Sequence, residues 1–188
     1  MECAIRHIKS TILMLASLLF LGLWNASALN ADEAPAAGDR LQPLRFLVGS
    51  CWRGTFADGK NVDTHCFSKM YGEAFIRDVH LVRGDNPDYR GEAIYQWDAA
   101  GEQIKYRYWN SLGGVSDGVL TTEGGRIIAP GERHVENDGG VIEIRSVMQQ
   151  SGDDTYSSIA EQKTETGWVQ MWKVEFSRLP DETDNSLP

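Results

Sequence analysis

The chain has 188 residues, 41% hydrophobic and 24% charged, with 18 Lys and Arg against 27 Asp and Glu for a formal charge of −9. That length fits one domain or at most two small ones, with enough apolar material for a core. The acidic balance removes a basic footprint for DNA or RNA phosphates, composition removes collagen, coiled coil and long disorder, and 3 cysteines are too few for a disulfide-dominated mini-fold.

Residues 1–28 read as an export signal. Arg6 and Lys9 precede an uncharged run, Thr11–Trp24, and Ala26-Ser27-Ala28 follows with small residues where a signal peptidase reads. A helix over that run rises about 21 Å, short of the roughly 30 Å hydrocarbon core, so a signal fits better than a membrane anchor. Cleavage after Ala28 lowers the basic count from 18 to 16 and the acidic count from 27 to 26, a balance of −10. The mature chain then has no membrane span and belongs in the periplasm or outside the cell. It keeps Cys51 and Cys66, an even pair in an oxidising compartment.

Segments 29–43 and 180–188 are polar or small, without periodicity, and read as tails around a domain at 44–179. Leu41–Val48 (LQPLRFLV) suits one helical turn, with Pro43 near its start. From Phe46 to Leu179, turn signals recur every ten to twelve residues or so, among them Asp58-Gly59, Gly72, Gly113-Gly114, Gly139-Gly140 and Gly167. About ten strands lie between them: 48–57, 60–71, 74–83, 90–97, 103–110, 116–122, 126–129, 132–136, 141–149, 155–164 and 168–178, with 126–129 and 132–136 one strand if Pro130-Gly131 only interrupts it. In the last strand Trp168, Gln170, Trp172, Val174, Phe176 and Arg178 share one side, which the apolar majority directs inward. Short turns mean antiparallel neighbours, and so many strands close or split to remove their edges. An all-β, antiparallel up-and-down barrel is the first expectation, a two-sheet sandwich the second.

A tight turn at Asp58-Gly59 sets Cys51 directly opposite Cys66, a separation compatible with a disulfide, with a reactive or metal-binding thiol pair as the alternative. A turn at Gly72-Glu73 likewise sets His65 opposite His80, with Asp63 and Asp78 on the same strands. Two His with Asp suit zinc, another divalent ion or haem, but first of all read as surface or satisfied polar side chains. Esterase, zincin, phosphate-loop and dinucleotide-binding motifs are missing from the sequence. Tyr95, Trp97, Tyr106, Tyr108 and Trp109 cluster about the Asp98–Gly101 turn, with Lys105 and Arg107 interleaved. They read either as barrel filling or as the walls of a ligand cavity.

Phe46-Leu47-Val48-Gly49-Ser50-Cys51-Trp52-Arg53-Gly54 resembles the F-L-x-G-x-W-x-G opening of lipocalin-like barrels. Together with Tyr89–Asp98, Trp109-Asn110-Ser111 and Asp117-Gly118, it is most similar to a bacterial lipocalin-like, calycin-type family of unknown function, over about residues 44–178. Here two residues separate Gly49 from Trp52, not one, which predicts a bulge at Ser50-Cys51 or another register. The resemblance implies a structural stack of Arg178 on Trp52 at one end of the barrel. It also implies that a haem-ligating His would lie near the C-terminus, where 141–188 has none. The resulting expectation is an exported, non-catalytic lipocalin-like barrel with no cofactor or metal. It would hold a small, largely apolar molecule against the five aromatics, with oligomeric state left open. Two alternatives stand beside it: a barrel enzyme (hydratase, isomerase or peroxidase) or metal or haem protein using His65 and His80, and an envelope interaction module with a filled core.

Overall fold

The computed structural model describes residues 37–180; the expected export signal, most of the N-terminal tail and nearly all of the C-terminal tail lie outside the described residues. A 3₁₀ helix, Ala37–Leu47, leads into ten strands: β1 Cys51–Thr55, β2 Val62–Met70, β3 Phe75–Arg83, β4 Tyr89–Asp98, β5 Gln103–Asn110, β6 Val115–Glu123, β7 Arg126–Val135, β8 Val141–Gly152, β9 Thr155–Thr164 and β10 Gly167–Arg178. Each strand pairs antiparallel with its chain neighbours, and β1 pairs with β10 to close an up-and-down barrel. The sandwich is thereby excluded. The architecture is consistent with a lipocalin-like fold. Among the described residues no helix is long and apolar enough to cross a membrane.

The expected registers hold at both hairpins that carry chemistry. Cys51 lies opposite Cys66 and forms a disulfide with it, closing a loop with a sequence separation of 15. A loop of that size restricts the unfolded chain by about 3 kcal/mol. His65 lies opposite His80. The turn between β2 and β3 is wider than two residues, spanning 71–74, but keeps the same centre. Segments 126–129 and 132–136 join in β7, whose register shifts between Ala129 and Glu132 around Pro130-Gly131.

Two local expectations are corrected. The irregularity before Trp52 sits one residue earlier than Ser50-Cys51. Gly49 N–H donates to the Phe67 carbonyl while Phe67 N–H donates to the Ser50 carbonyl, so two residues serve one partner. Gly49 takes φ +80°, a conformation that glycine adopts without penalty, whereas Cys51 is held in the ladder by its pairing. In β10 the register shifts between Gln170 and Trp172. The extra residue reverses the phase of what precedes it. Trp168 is therefore on the outer face, opposite Lys163 and with the Arg145 guanidinium 4.5 Å from its ring centre, instead of sharing the inward side with Trp172.

One end of the barrel is closed. Leu41, Leu44 and Leu47 recur every third residue, which matches the three residues per turn of a 3₁₀ helix and lines them in one stripe. All three are buried within the core cluster that also holds Trp52, Phe67, Ile76, Tyr156 and Phe176. Trp52 Nε1 donates to the Leu47 carbonyl at 3.0 Å, and the Arg178 guanidinium lies 4.3 Å from the Trp52 ring centre. Arg178 also donates to Ser50 Oγ, to the Phe46 carbonyl at 3.1 Å and to Asp154 at 2.9 Å. The stack thus joins a cation–π contact to a set of charge-assisted hydrogen bonds at the seam between first and last strands.

Candidate functional site: a polar network beneath an open mouth

Side chains two apart on a strand share a face, so the inward positions of β2 and β3 are Asp63, His65 and Phe67 against Ile76, Asp78 and His80. The same parity on β4 and β5 directs Tyr89, Ala93, Tyr95 and Trp97 inward, with Ile104, Tyr106 and Tyr108 across from them. Toward the closed end these positions are filled by apolar side chains. Toward the other end they carry ionisable groups.

Those groups form one chain of hydrogen bonds. Asp78 Oδ2 meets His65 Nδ1 at 2.9 Å, His65 Nε2 meets Asp63 Oδ2 at 3.0 Å, and Asp63 Oδ1 meets His80 Nδ1 at 3.1 Å. His80 Nε2 then meets Tyr108 Oη at 3.0 Å, and Tyr108 Oη meets Tyr89 Oη at 2.6 Å. The two imidazoles stack with centroids 4.5 Å apart. Burial alone would depress His65, but the Asp78 and Asp63 carboxylates outweigh it and hold the imidazolium well above its ordinary range. Burial would raise Asp63, and the opposing attraction and hydrogen bonds of His65 and His80 keep it below the usual carboxylate range. Gly91 provides room for this arrangement: a Cβ there would collide with His80 Nε2 and Tyr108 Oη.

A second buried cluster lies across the lumen. Tyr106 donates to Glu132 Oε2, Ser116 Oγ donates to Glu132 Oε1 at 3.1 Å, and Ser116 Oγ also meets His134 Nδ1 at 2.8 Å. Burial raises the Glu132 carboxyl against the pull of these donors and of His134. The carboxylate bonds to the serine, not to the imidazole. The order needed for a serine nucleophile, in which an acid orients the base, is therefore not formed, and Ser116 is 0% exposed.

Above the first cluster a cavity of about 500 Å³ opens at the barrel mouth, between the β1–β2 loop, the β3–β4 loop and the bulged start of β10. Phe56, Val82, Tyr89, Met171 and Trp172 form much of its wall, with Asn61 and Lys173 among its polar lining. Small-molecule sites commonly have about 300–1,000 Å³ and a mostly apolar wall with few polar groups. Tyr89 both lines this cavity and hydrogen-bonds to Tyr108, so the mouth communicates with the His–Asp network.

The five aromatics expected at a ligand are not gathered around this cavity. Tyr95 and Tyr106 point inward but are 8% exposed and sit in the packed core. Trp97 packs against that core with the Arg40 guanidinium 5.1 Å from its ring centre. Tyr108 faces the network, one hydroxyl away from the cavity. Trp109, one residue out of phase with Tyr108, is on the outer face and 40% exposed. Sequence reading missed Tyr89 and Phe56, although Tyr89 is in phase with Tyr95 along one strand. It placed Trp172 on the inward face without assigning it a ligand. Glu132, Ser116 and His134 carried no signal, because their meeting depends on the irregular pairing of β6 with β7.

No protein-family model matches the chain, and no curated protein matches it.

Proposed function

We propose that this is an exported barrel that binds a small amphipathic molecule non-covalently at its open end. The cavity under the β1–β2 and β3–β4 loops carries this reading. Its volume suits a small ligand, its apolar wall of Phe56, Val82 and Trp172 suits a hydrophobic body, and Asn61 and Lys173 in its lining suit one polar group. The filled closed end limits the ligand to the mouth, so the molecule is shorter and more polar than the largely apolar guest expected for a hollow lumen. Export is supported by the basic–apolar–A-x-A pattern of residues 1–28 and by the Cys51–Cys66 disulfide.

Saturable binding of an environment-sensitive hydrophobic fluorophore is the direct test, together with mass spectrometry of organic extracts from the purified protein. The expected result is a retained molecule or saturable probe binding that Trp172→Ala weakens about tenfold, the loss of roughly 1.4 kcal/mol of aromatic contact. Trp109→Ala, on the outer face, leaves it unchanged. No extractable molecule and no saturable probe binding would overturn the proposal, as would probe binding indifferent to Trp172→Ala.

A further inference from the structure

The geometry points to Asp63, His65 and His80 as a binding site for one divalent first-row transition ion of the zinc class. The inference stands on the network itself and does not require the mouth cavity to hold a ligand.

The donor set is the first reason. Two imidazoles and one carboxylate suit zinc and its neighbours among the divalent metals, whereas calcium and magnesium favour sets of oxygens. One ligand atom from each of the three residues lies within 4.8 Å of the others. Bonds of about 2.0–2.1 Å in a tetrahedral site put neighbouring donors roughly 3.3 Å apart. Asp63 brings a separate oxygen near that length to each ring, Oδ2 at 3.0 Å from His65 Nε2 and Oδ1 at 3.1 Å from His80 Nδ1, so the carboxylate reaches one ion between the rings through either oxygen or both. The ion would stand between the Asp63 carboxylate and the two rings, replacing both of those hydrogen bonds.

What surrounds the three donors is the second reason. Metal-bound histidines usually give their remaining N–H to a carboxylate or another acceptor, which fixes the tautomer and aims the ring. Both histidines have that partner here. Asp78 takes His65 Nδ1–H, leaving Nε2 for the ion, and Tyr108 Oη stands at 3.0 Å to take His80 Nε2–H, leaving Nδ1. The missing side chain at Gly91 keeps the second of these contacts open.

Charge is the third. Asp63 and Asp78 are each 6% exposed, and buried carboxylates are costly unless matched. A divalent ion on these donors matches both carboxylates, in place of the ring proton that His65 directs toward Asp63. A hydrogen-bonded quartet that merely specifies the strand register is the competing explanation, and it makes the opposite prediction for metal uptake.

The test uses the untagged full chain, stripped with a chelator and titrated with Zn²⁺ against a chromophoric competitor, with Co²⁺ absorption as a second readout. The expected result is one ion per chain at micromolar affinity or tighter, with visible Co²⁺ bands of a low-coordinate nitrogen–oxygen site. Asp63→Asn and His80→Ala abolish it, Asp78→Asn weakens it about 10–100-fold by releasing the His65 ring, and His134→Ala leaves it intact. Wild-type protein with a native circular dichroism spectrum that takes up no stoichiometric Zn²⁺ would overturn the site without needing any variant. Uptake that survives in a folded His80→Ala protein would overturn it as well. Probe binding at the mouth is a separate signal, so failure of one reading is distinguishable from failure of the other.

Discussion

Glu132 has two hydrogen-bond donors, Tyr106 and Ser116, and no Lys or Arg partner among the described residues, and burial raises its carboxyl above the ordinary glutamate range. The groups around it are Tyr106 on β5, Ser116 on β6 and His134 on its own strand, with Tyr89 and Tyr95 of β4 within electrostatic reach. A raised folded-state value means that the native chain binds the proton more tightly than the unfolded chain. Its stabilising contribution is thus complete below the unfolded value of about 4.3 and is lost as pH rises through the folded value. Glu132→Gln keeps a neutral group of the same shape at every pH. The variant is expected to equal wild type in acid and to exceed it by on the order of 1 kcal/mol at neutral pH. Denaturant melts of both proteins across that range check this through their difference, which removes the common titration of the other carboxylates. A constant or reversed difference would show that Glu132 is satisfied as an anion. Residues of this kind were hidden in the sequence, while His65 and His80 were not. The latter two follow from the symmetry of one hairpin, whereas Glu132 meets Ser116 only after a register shift that no turn motif announces.

The 3₁₀ helix Ala37–Leu47 has little intrinsic stability, since such helices are rarely longer than a turn and Pro43 removes a donor within it. Burial of its leucine stripe holds it in place. Leu44 is 0% exposed within the core cluster, and truncating such a leucine costs about 2–5 kcal/mol through lost transfer energy and the cavity left behind. Leu44→Ala is therefore expected to lower unfolding free energy by that amount in urea melts. Leu112→Ala, at a side chain 70% exposed, moves it by less than about 0.5 kcal/mol. A loss at Leu44 as small as that at Leu112 would mean that the helix is not a plug. At this scale the sequence was most legible. Alternation located the strands and their inward faces, since period-two burial is a local property. It failed at Trp168, where one inserted residue in β10 exchanges the faces, and bulges leave no mark in hydrophobic pattern. One helical turn was expected from Leu41–Val48, and the earlier start was missed because residues 37–40, Ala-Gly-Asp-Arg, add no apolar side chain to the stripe.

Across the whole barrel the two ends differ in what their strands enclose. One is sealed by Leu41, Leu44, Trp52 and Phe176, a contiguous apolar core, and hydrogen bonds from Trp52 and Arg178 tie the first and last strands to the 3₁₀ helix. The other encloses charges and a cavity, beneath loops whose residues 56–61 and 84–88 are largely exposed. Closure shares the ladder hydrogen bonds among all ten strands, so secondary structure alone does not distinguish the ends. Packing does, and local opening is easiest where apolar contacts are fewest. Native-state hydrogen exchange is expected to divide accordingly. Amides of 51–54 and 174–178 exchange only through global unfolding, while those of 82–83 and 89–91 exchange through smaller, denaturant-insensitive openings. Both proposed activities act on the weaker end, so saturating Zn²⁺ or a bound probe slows exchange at 63–65, 80–83 and 89–91 and leaves 174–178 unchanged. Equal protection at the two ends in the free protein would mean that the polar network holds its strands as firmly as the leucine plug. The barrel would then bind as a rigid cup whose opening offers no conformational control over what enters.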